Sequence, residues 1–284
     1  MRAVLPIGVL PRLAVVAMAL CAIAALLSPV LADSHMGVPQ LTLRLQPPFW
    51  LGGKGHFLLG SDQLGRGVAS RVLLGLRVSL LIALVAATAA ALLGLVVGLV
   101  AGYARGVSDA ALMRLVDIQL SFPFLVLAIA VVAVLGHSIP NLLVVLILWG
   151  WASFARIARG EILALREREF VHACYALGAR PIRVMSRHLL PNVLPKLLVI
   201  WTYMLAQMAV AEGGLSFLGL GVEEPFASLA TLINDGRVHL STAWWVATFP
   251  GLLLMIFILG VNFLGDGLAD VLSPRTRGLR VRVL

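Results

Sequence analysis

The chain has 284 residues, of which 61% are hydrophobic and 12% charged, where an average soluble domain carries roughly 25% charged residues. A mean hydropathy of +1.01 cannot be hidden in one core, because a folded chain of this size still exposes a large surface that must be polar to stay in water; a water-soluble globule is excluded. The net charge of +9 does not signal nucleic acid, because the basic residues sit at the ends and gaps of long apolar runs.

In chain order, Arg2 and Arg12 precede residues 13–32, a charge-free run of 20, about the length that crosses a hydrocarbon core. A rival reading takes Val30-Leu31-Ala32 before Asp33 as the end of a cleaved secretory signal peptide. Cleavage would remove one span without inverting the others. Residues 33–77 contain Pro39, Pro47, Pro48, Gly52, Gly53 and Gly55, so the first part is expected to be irregular, with Ser61 or Asp62 capping a short helix that runs into the next span. Residues 78–104 form the second span. Its Gly94, Gly98 and Gly102 recur every four residues and put a groove on one helix face, read as close helix packing rather than substrate contact.

The run 118–155 is too long for one crossing, and Gly136-His137-Ser138-Ile139-Pro140-Asn141 splits it into two spans. Asp117, three residues after Arg114, is expected to pair with it on one helix face. Residues 156–196 are too long and polar for a plain connector. A helical pattern of apolar residues, Arg and Glu runs over residues 159–177; Gly178 can end that helix in a left-handed conformation and Pro181 can open a second. Pro191 and Pro195 mark the return to the membrane. The residues leave two readings open: an amphipathic hairpin held by anionic lipid, or a docking knob for a partner.

The fifth span covers residues 197–211, extending back through Leu189 if Lys196 snorkels. Residues 212–239 then open with the Gly-rich stretch 213–221, read as a re-entrant piece or an interfacial loop. Residues 238–265 supply the sixth span, with Asn262 and Asp266 near its inner end in a local polar pairing. Sixteen Lys and Arg residues fall on the side of the N-terminus and six on the other, which places both termini and residues 156–196 in the cytoplasm. The expected domains are an N-terminal transmembrane helix over 1–32, an external segment over 33–77 and a membrane core over 78–284 that includes the cytoplasmic segment 156–196.

Catalytic chemistry is absent. There is no Gly-x-x-x-x-Gly-Lys-Ser/Thr loop, His-Glu-x-x-His site or Gly-x-Ser-x-Gly elbow. His35, His56, His137, His172, His188 and His239 are scattered without ligand spacing, and Cys21 and Cys174 are too few for a scaffold or a thiolate metal site. No acidic residue stands at the centre of a span, which argues against a stand-alone ion-coupled carrier.

Several segments in order resemble the permease subunits of bacterial ABC importers, in the branch handling dipeptides, oligopeptides and nickel. They are Leu59-Gly60-Ser61-Asp62-Gln63-Leu64-Gly65-Arg66, Met113-Arg114-Leu115-Val116-Asp117, Ser121-Phe122-Pro123, Leu165-Arg166-Glu167-Arg168-Glu169-Phe170-Val171, Ala176-Leu177-Gly178-Ala179, His188-Leu189-Leu190-Pro191-Asn192, residues 215–221 and Leu264-Gly265-Asp266-Gly267-Leu268. The resemblance covers roughly residues 57–275. It implies an all-α membrane fold of six helices, like the type I ABC importer permeases, in the cytoplasmic (inner) membrane of a bacterium. It also implies that residues 156–196 hold the EAA coupling loop that docks in an ATPase subunit, through His172, Ala173, Cys174, Gly178, Leu190 and Pro191. Candidate pathway-lining residues are Ser216, Phe217, Gly219 and Gly221. The triplet here is His172-Ala173-Cys174 rather than Glu-Ala-Ala; Gly67 stands where the family usually has Asp, and Ala227-Ser228-Leu229-Ala230 where it usually has Pro-Ser-Trp-Gly. The implied machine imports dipeptides or oligopeptides, with nickel or a metal chelate as the alternative cargo. Its other parts are two ATPase subunits, a second non-identical permease and an external binding protein. This chain itself is expected to be no enzyme and to hold no cofactor or metal.

Overall fold

The computed structural model describes residues 9–32, 39–53, 57–222 and 226–272, with side chains from Arg12 onward. Arg2, Asp33, His35, Lys54, Gly55, His56, Arg275, Arg277, Arg280 and Arg282, which entered the topology and ligand readings above, lie outside the described residues. Everything regular among the described residues is helical: α1 (Val9–Leu31), α2 (Val68–Ala104), α3 (Gly106–Ser121), α4 (Phe124–Leu135), α5 (Ile139–Arg166), α6 (Glu169–Ala176), α7 (Pro181–Val184), α8 (Leu190–Phe217), α9 (Leu229–Arg237) and α10 (Trp245–Leu272), besides short turns. Five helical stretches are long and apolar enough to cross a membrane, and the bent pair α3–α4 makes a sixth.

The centre of the bundle is the long contact between α2 and α5, and the glycine groove makes it. A Cβ on Gly94 would lie 2.4 Å from the Trp151 carbonyl oxygen, and one on Gly98 2.6 Å from that of Ala155. At Gly102 the added atom would stand 3.0 Å from Ile162. Without side chains at these positions the two backbones approach closely, and Ala152, Ala155 and Ala158 are fully buried opposite them. Helices α8 and α10 pack beside this pair, and α1 lies outside against α10 and α2.

Several expected boundaries are corrected. α2 begins at Val68 rather than Val78, so Arg71 is helical, and it is neutralised by Asp62 at 2.7 Å and Asp235 at 3.9 Å. Ser61 and Asp62 cap no helix. The Asp62 carboxylate accepts the backbone N–H groups of Leu64 and Arg66 (2.9 and 2.8 Å) and closes a tight turn, while the Ser61 hydroxyl donates to the Leu43 carbonyl. Gly67 occupies the N-cap of α2 without a side-chain cap.

The third crossing is not one straight helix from residue 118; α3 and α4 meet at 89°. Pro123 has no N–H to donate, and its ring holds Phe122 in an extended conformation (φ −80, ψ 126), which ends α3. Asp117 accepts from Arg156 on α5 at 2.7 Å, not from Arg114. The helical pattern of 159–177 breaks at Glu167 and Arg168, so α5 and α6 are separate. α8 continues through Gly213 and Gly214 to Phe217, and α10 starts at Trp245, seven residues later than expected, and runs past Asp266 to Leu272. A charge-free criterion stops a span at its first charge, whereas a helix emerging from the bilayer keeps its own hydrogen bonds.

Candidate functional site

The end of the bundle that carries residues 156–196 is an ordered hairpin. Helix α6 closes in a Schellman turn: the Gly178 N–H donates to the Tyr175 carbonyl (2.9 Å) and the Ala179 N–H to that of Cys174 (3.0 Å), with Gly178 at φ +78. These bonds satisfy carbonyls that the helix end would otherwise leave open. Pro181 then opens α7 at its first turn. Residues Met185–Leu189 form one π turn, whose Met185 carbonyl accepts from Leu190. That wider turn directly precedes Pro191 and makes room for its ring, so α7 and α8 continue as one stretch.

Buried Val171, Val184 and Leu189 pin the hairpin to the core. Polar contacts tie it to α2, α3 and α5. The Tyr175 and Tyr103 hydroxyls lie 2.9 Å apart, and Arg166 donates to the Tyr103 carbonyl (2.6 Å) with its guanidinium over the Tyr103 ring. Arg105 pairs with Glu167, Arg159 grips both oxygens of Asp109 (2.5 and 2.7 Å), and Lys196 reaches Glu161 at 2.5 Å. Of the expected docking residues, His172, Ala173, Gly178 and Pro191 are exposed, and Cys174 and Leu190 half-buried. Beside them Phe170, Ile182 and Leu177, the last 88% exposed, turn apolar surface outward.

A second feature lies within the bundle. An open cavity of about 540 Å³ is walled by Phe124, Trp149, Tyr203, Gln207, Ile258 and Asn262, with smaller residues of α8 between them. Trp149 stands ten residues from the end of α5 remote from the hairpin, Gln207 ten and Tyr203 fourteen from that of α8, and Asn262 seventeen from that of α10; at 1.5 Å per residue this is about 15 to 26 Å along the helices. The Phe124 and Trp149 rings touch at 4.9 Å between centroids. Tyr203 donates to Asp266, one turn beyond Asn262. The amides of Gln207 and Asn262 have no hydrogen-bond partner among the described residues. Exposed to lipid tails, an amide costs several kcal/mol, so the cavity faces water or another polypeptide.

No sequence motif marks these walls; their signal in the sequence is two neutral polar residues, Gln207 and Asn262, inside apolar runs. The four Gly-rich candidates sit elsewhere, at the end of the bundle remote from the hairpin. Ser216 is buried and donates to the Glu212 carboxylate at 2.7 Å, and Gly221 lies against it, where a Cβ would come within 2.2 Å of its hydroxyl. Phe217 faces outward beneath the Arg237 guanidinium at 4.2 Å, and Gly219 takes φ +78. Glu212, expected at the start of an external segment, is 1% exposed within α8; it also accepts from Ser228, the N-cap of α9, at 2.6 Å.

Residues 94–278 match the family described as binding-protein-dependent transport system inner membrane component. A putative peptide transport system permease protein of Brucella suis is 38% identical over 266 residues, 94% of this chain and 88% of that protein. The di/tripeptide transport system permease protein DppC of Pseudomonas aeruginosa is 35% identical over 82% of this chain and 77% of its own length. The glutathione transport system permease protein GsiD of Shigella flexneri is 39% identical over 77% and 72%. A chain from inward-facing structures of the MetNI methionine ABC transporter shares the fold, with a TM-score of 0.57 and 21% identity over 70% of this chain and 94% of that one.

Proposed function

The chain belongs to the binding-protein-dependent transport system inner membrane component family, and from that premise we propose that it forms half of a pathway for dipeptides or oligopeptides across the cytoplasmic membrane. The observation that carries the reading is the cavity with two unpartnered amides at membrane depth. A peptide presents backbone N–H and C=O groups that must be matched as it leaves water. Neutral amides and a phenol, set beside the Phe124 and Trp149 rings, offer such matches without a fixed charge that would hold the cargo. The open side of the cavity is where a second, non-identical permease completes the wall.

The inner hairpin is the docking element for one of two ATPase subunits. Its exposed apolar residues Leu177 and Ile182, next to His172, Ala173, Cys174 and Gly178, suit a groove on another protein better than water. Leu190 and Pro191 set the angle at which the docked segment rejoins α8. Both termini and this hairpin are cytoplasmic, and an external binding protein delivers the cargo. ATP hydrolysis is the partners' work; this chain acts without a cofactor or metal of its own.

The test is uptake by the complete transporter in proteoliposomes carrying Gln207→Leu with Asn262→Leu. Losing two hydrogen bonds of about 1 kcal/mol each predicts a fall in peptide uptake of about tenfold or more, at unchanged assembly with the ATPase. Unaltered uptake at normal expression would remove the cavity from the pathway. Ion-driven uptake by the single polypeptide would return the stand-alone carrier.

A further inference from the structure

Residues 39–53, between α1 and α2, hold one charged residue, Arg44, and much of their apolar surface faces away from the protein. Phe49, Trp50 and Leu51 form a short 3₁₀ turn with no buried residue, and Phe49 is 57% and Trp50 48% exposed. A loop standing in water would carry charge at such positions. The turn is nevertheless fixed in place. The Phe49 ring meets Trp50 edge to face at 5.2 Å, Trp50 meets Phe249 at 6.2 Å, and Phe249 meets Trp244 at 5.9 Å. The neighbouring Trp245 donates its indole N–H to the Ser61 carbonyl at 3.1 Å.

These contacts fix the depth of the turn against a spanning helix. α10 has 28 residues, about 42 Å at 1.5 Å per residue, longer than the roughly 30 Å hydrocarbon core. Its charge-free stretch, residues 245–265, is about 32 Å long and matches that core, so Trp244, just before the helix, and Phe249, in its second turn, lie at the interfacial boundary, where aromatic rings concentrate. Below them Leu252, Met255, Ile256 and Leu259 continue an exposed apolar face down the same helix. The patch on residues 49–51 is continuous with that lipid-facing surface.

We propose that the Phe49–Leu51 turn is inserted in the membrane–water interface, covered by phospholipid headgroups and upper acyl chains. The segment between α1 and α2 is then a lip lying along the bilayer, and Trp50 is its anchor. This depends on the bundle spanning a membrane and not on the identity of the cargo.

The test uses the complete transporter in phospholipid nanodiscs, with Cys21→Ser and Cys174→Ala as background and a nitroxide at Phe49→Cys or, separately, Leu51→Cys. Collision rates with oxygen, which concentrates in lipid, are compared with those of a water-soluble nickel chelate. The expected result at both positions is oxygen collisions in excess of chelate collisions, by less than at the deeper Leu252→Cys. Chelate collisions in excess at both positions would overturn the proposal. So would chelate access that is lost only on adding the external binding protein, since that assigns the patch to a protein partner.

Discussion

Gly178 offers the sharpest perturbation, because the structure separates its backbone role from its surroundings. The residue sits at φ +78, and a Cβ added there has no atom within 4 Å. Within the chain, then, Gly178→Ala is charged only for the left-handed backbone, about 1–2 kcal/mol. That is a factor of about 5 to 30 in the population of the hairpin geometry, provided the two carbonyl bonds of the turn are kept. Gly178→Asn, which tolerates this conformation better, is expected to recover most of the loss. Gly178→Asp adds a charge and bulk on a surface proposed to enter a partner's groove; it should leave membrane insertion intact, weaken ATPase docking and abolish uptake. His172→Ala is the internal control. His172 is exposed and its imidazole makes no hydrogen bond among the described residues, so its loss should cost docking less than about 1 kcal/mol. The assay is ATPase recovered with tagged permease, measured alongside uptake in proteoliposomes. Normal uptake by Gly178→Asp at normal expression would refute the docking argument and leave a lipid-facing hairpin.

The remaining predictions address packing, the ionic ties and topology. Gly98→Ala forces an atom to within 2.6 Å of the Ala155 carbonyl oxygen and the Ala158 Cβ, and should lower stability by about 1–3 kcal/mol; Gly160→Ala, with nothing within 4 Å on exposed helix, should gain about 0.5–1 kcal/mol. Thermal unfolding in detergent reads both, and equal shifts would refute the close α2–α5 contact. Asp109→Ala removes a two-pronged ion pair whose arginine is 31% exposed, so solvent screening holds the expected loss to about 1 kcal/mol; a double-mutant cycle with Arg159→Ala showing no coupling would deny the pair a role in stability. If the hairpin is cytoplasmic as proposed, a cysteine at Ser186 should resist an impermeant maleimide in intact cells, and its labelling would invert the topology.

What was legible in the sequence was what local chemistry decides. Gly178 before Pro181 announces a helix stop and restart, and the four-residue repeat of Gly94, Gly98 and Gly102 announces a face meant for another helix; both stand as read. What was not legible depends on partners distant in sequence. Asp117 finds Arg156 thirty-nine residues away instead of the nearby Arg114. A charge-free run ends at Ala211 and puts Glu212 outside, yet Ser216 and Ser228 donate to its carboxylate within the fold and α8 runs on through it to Phe217. The break at Pro123 was written in the residues but hidden by hydropathy, which scores Phe122 and Pro123 as part of one apolar run. Gln207 and Asn262 are single polar residues on different helices, and only the fold puts them on one cavity.

The proposed docking site and the proposed pathway share their supports. Helix α5 ends in the hairpin at Arg166 and walls the cavity seventeen residues earlier at Trp149; α8 leaves the hairpin at Leu190 and walls the cavity seventeen residues later at Gln207. Each arm is therefore about 25 Å long. Between them, at the hairpin, Val171, Val184 and Leu189 are fully buried in the core that holds α5 and α8. A close-packed contact of this kind transmits displacement instead of absorbing it. If an ATPase docks as proposed, a tilt imposed on α6 would be carried by two arms of equal length to two walls of one cavity, and the Tyr103–Tyr175 contact would resist any sliding of α6 that dissipates it. On this proposal the hairpin would need no contact with cargo to change the space that cargo occupies.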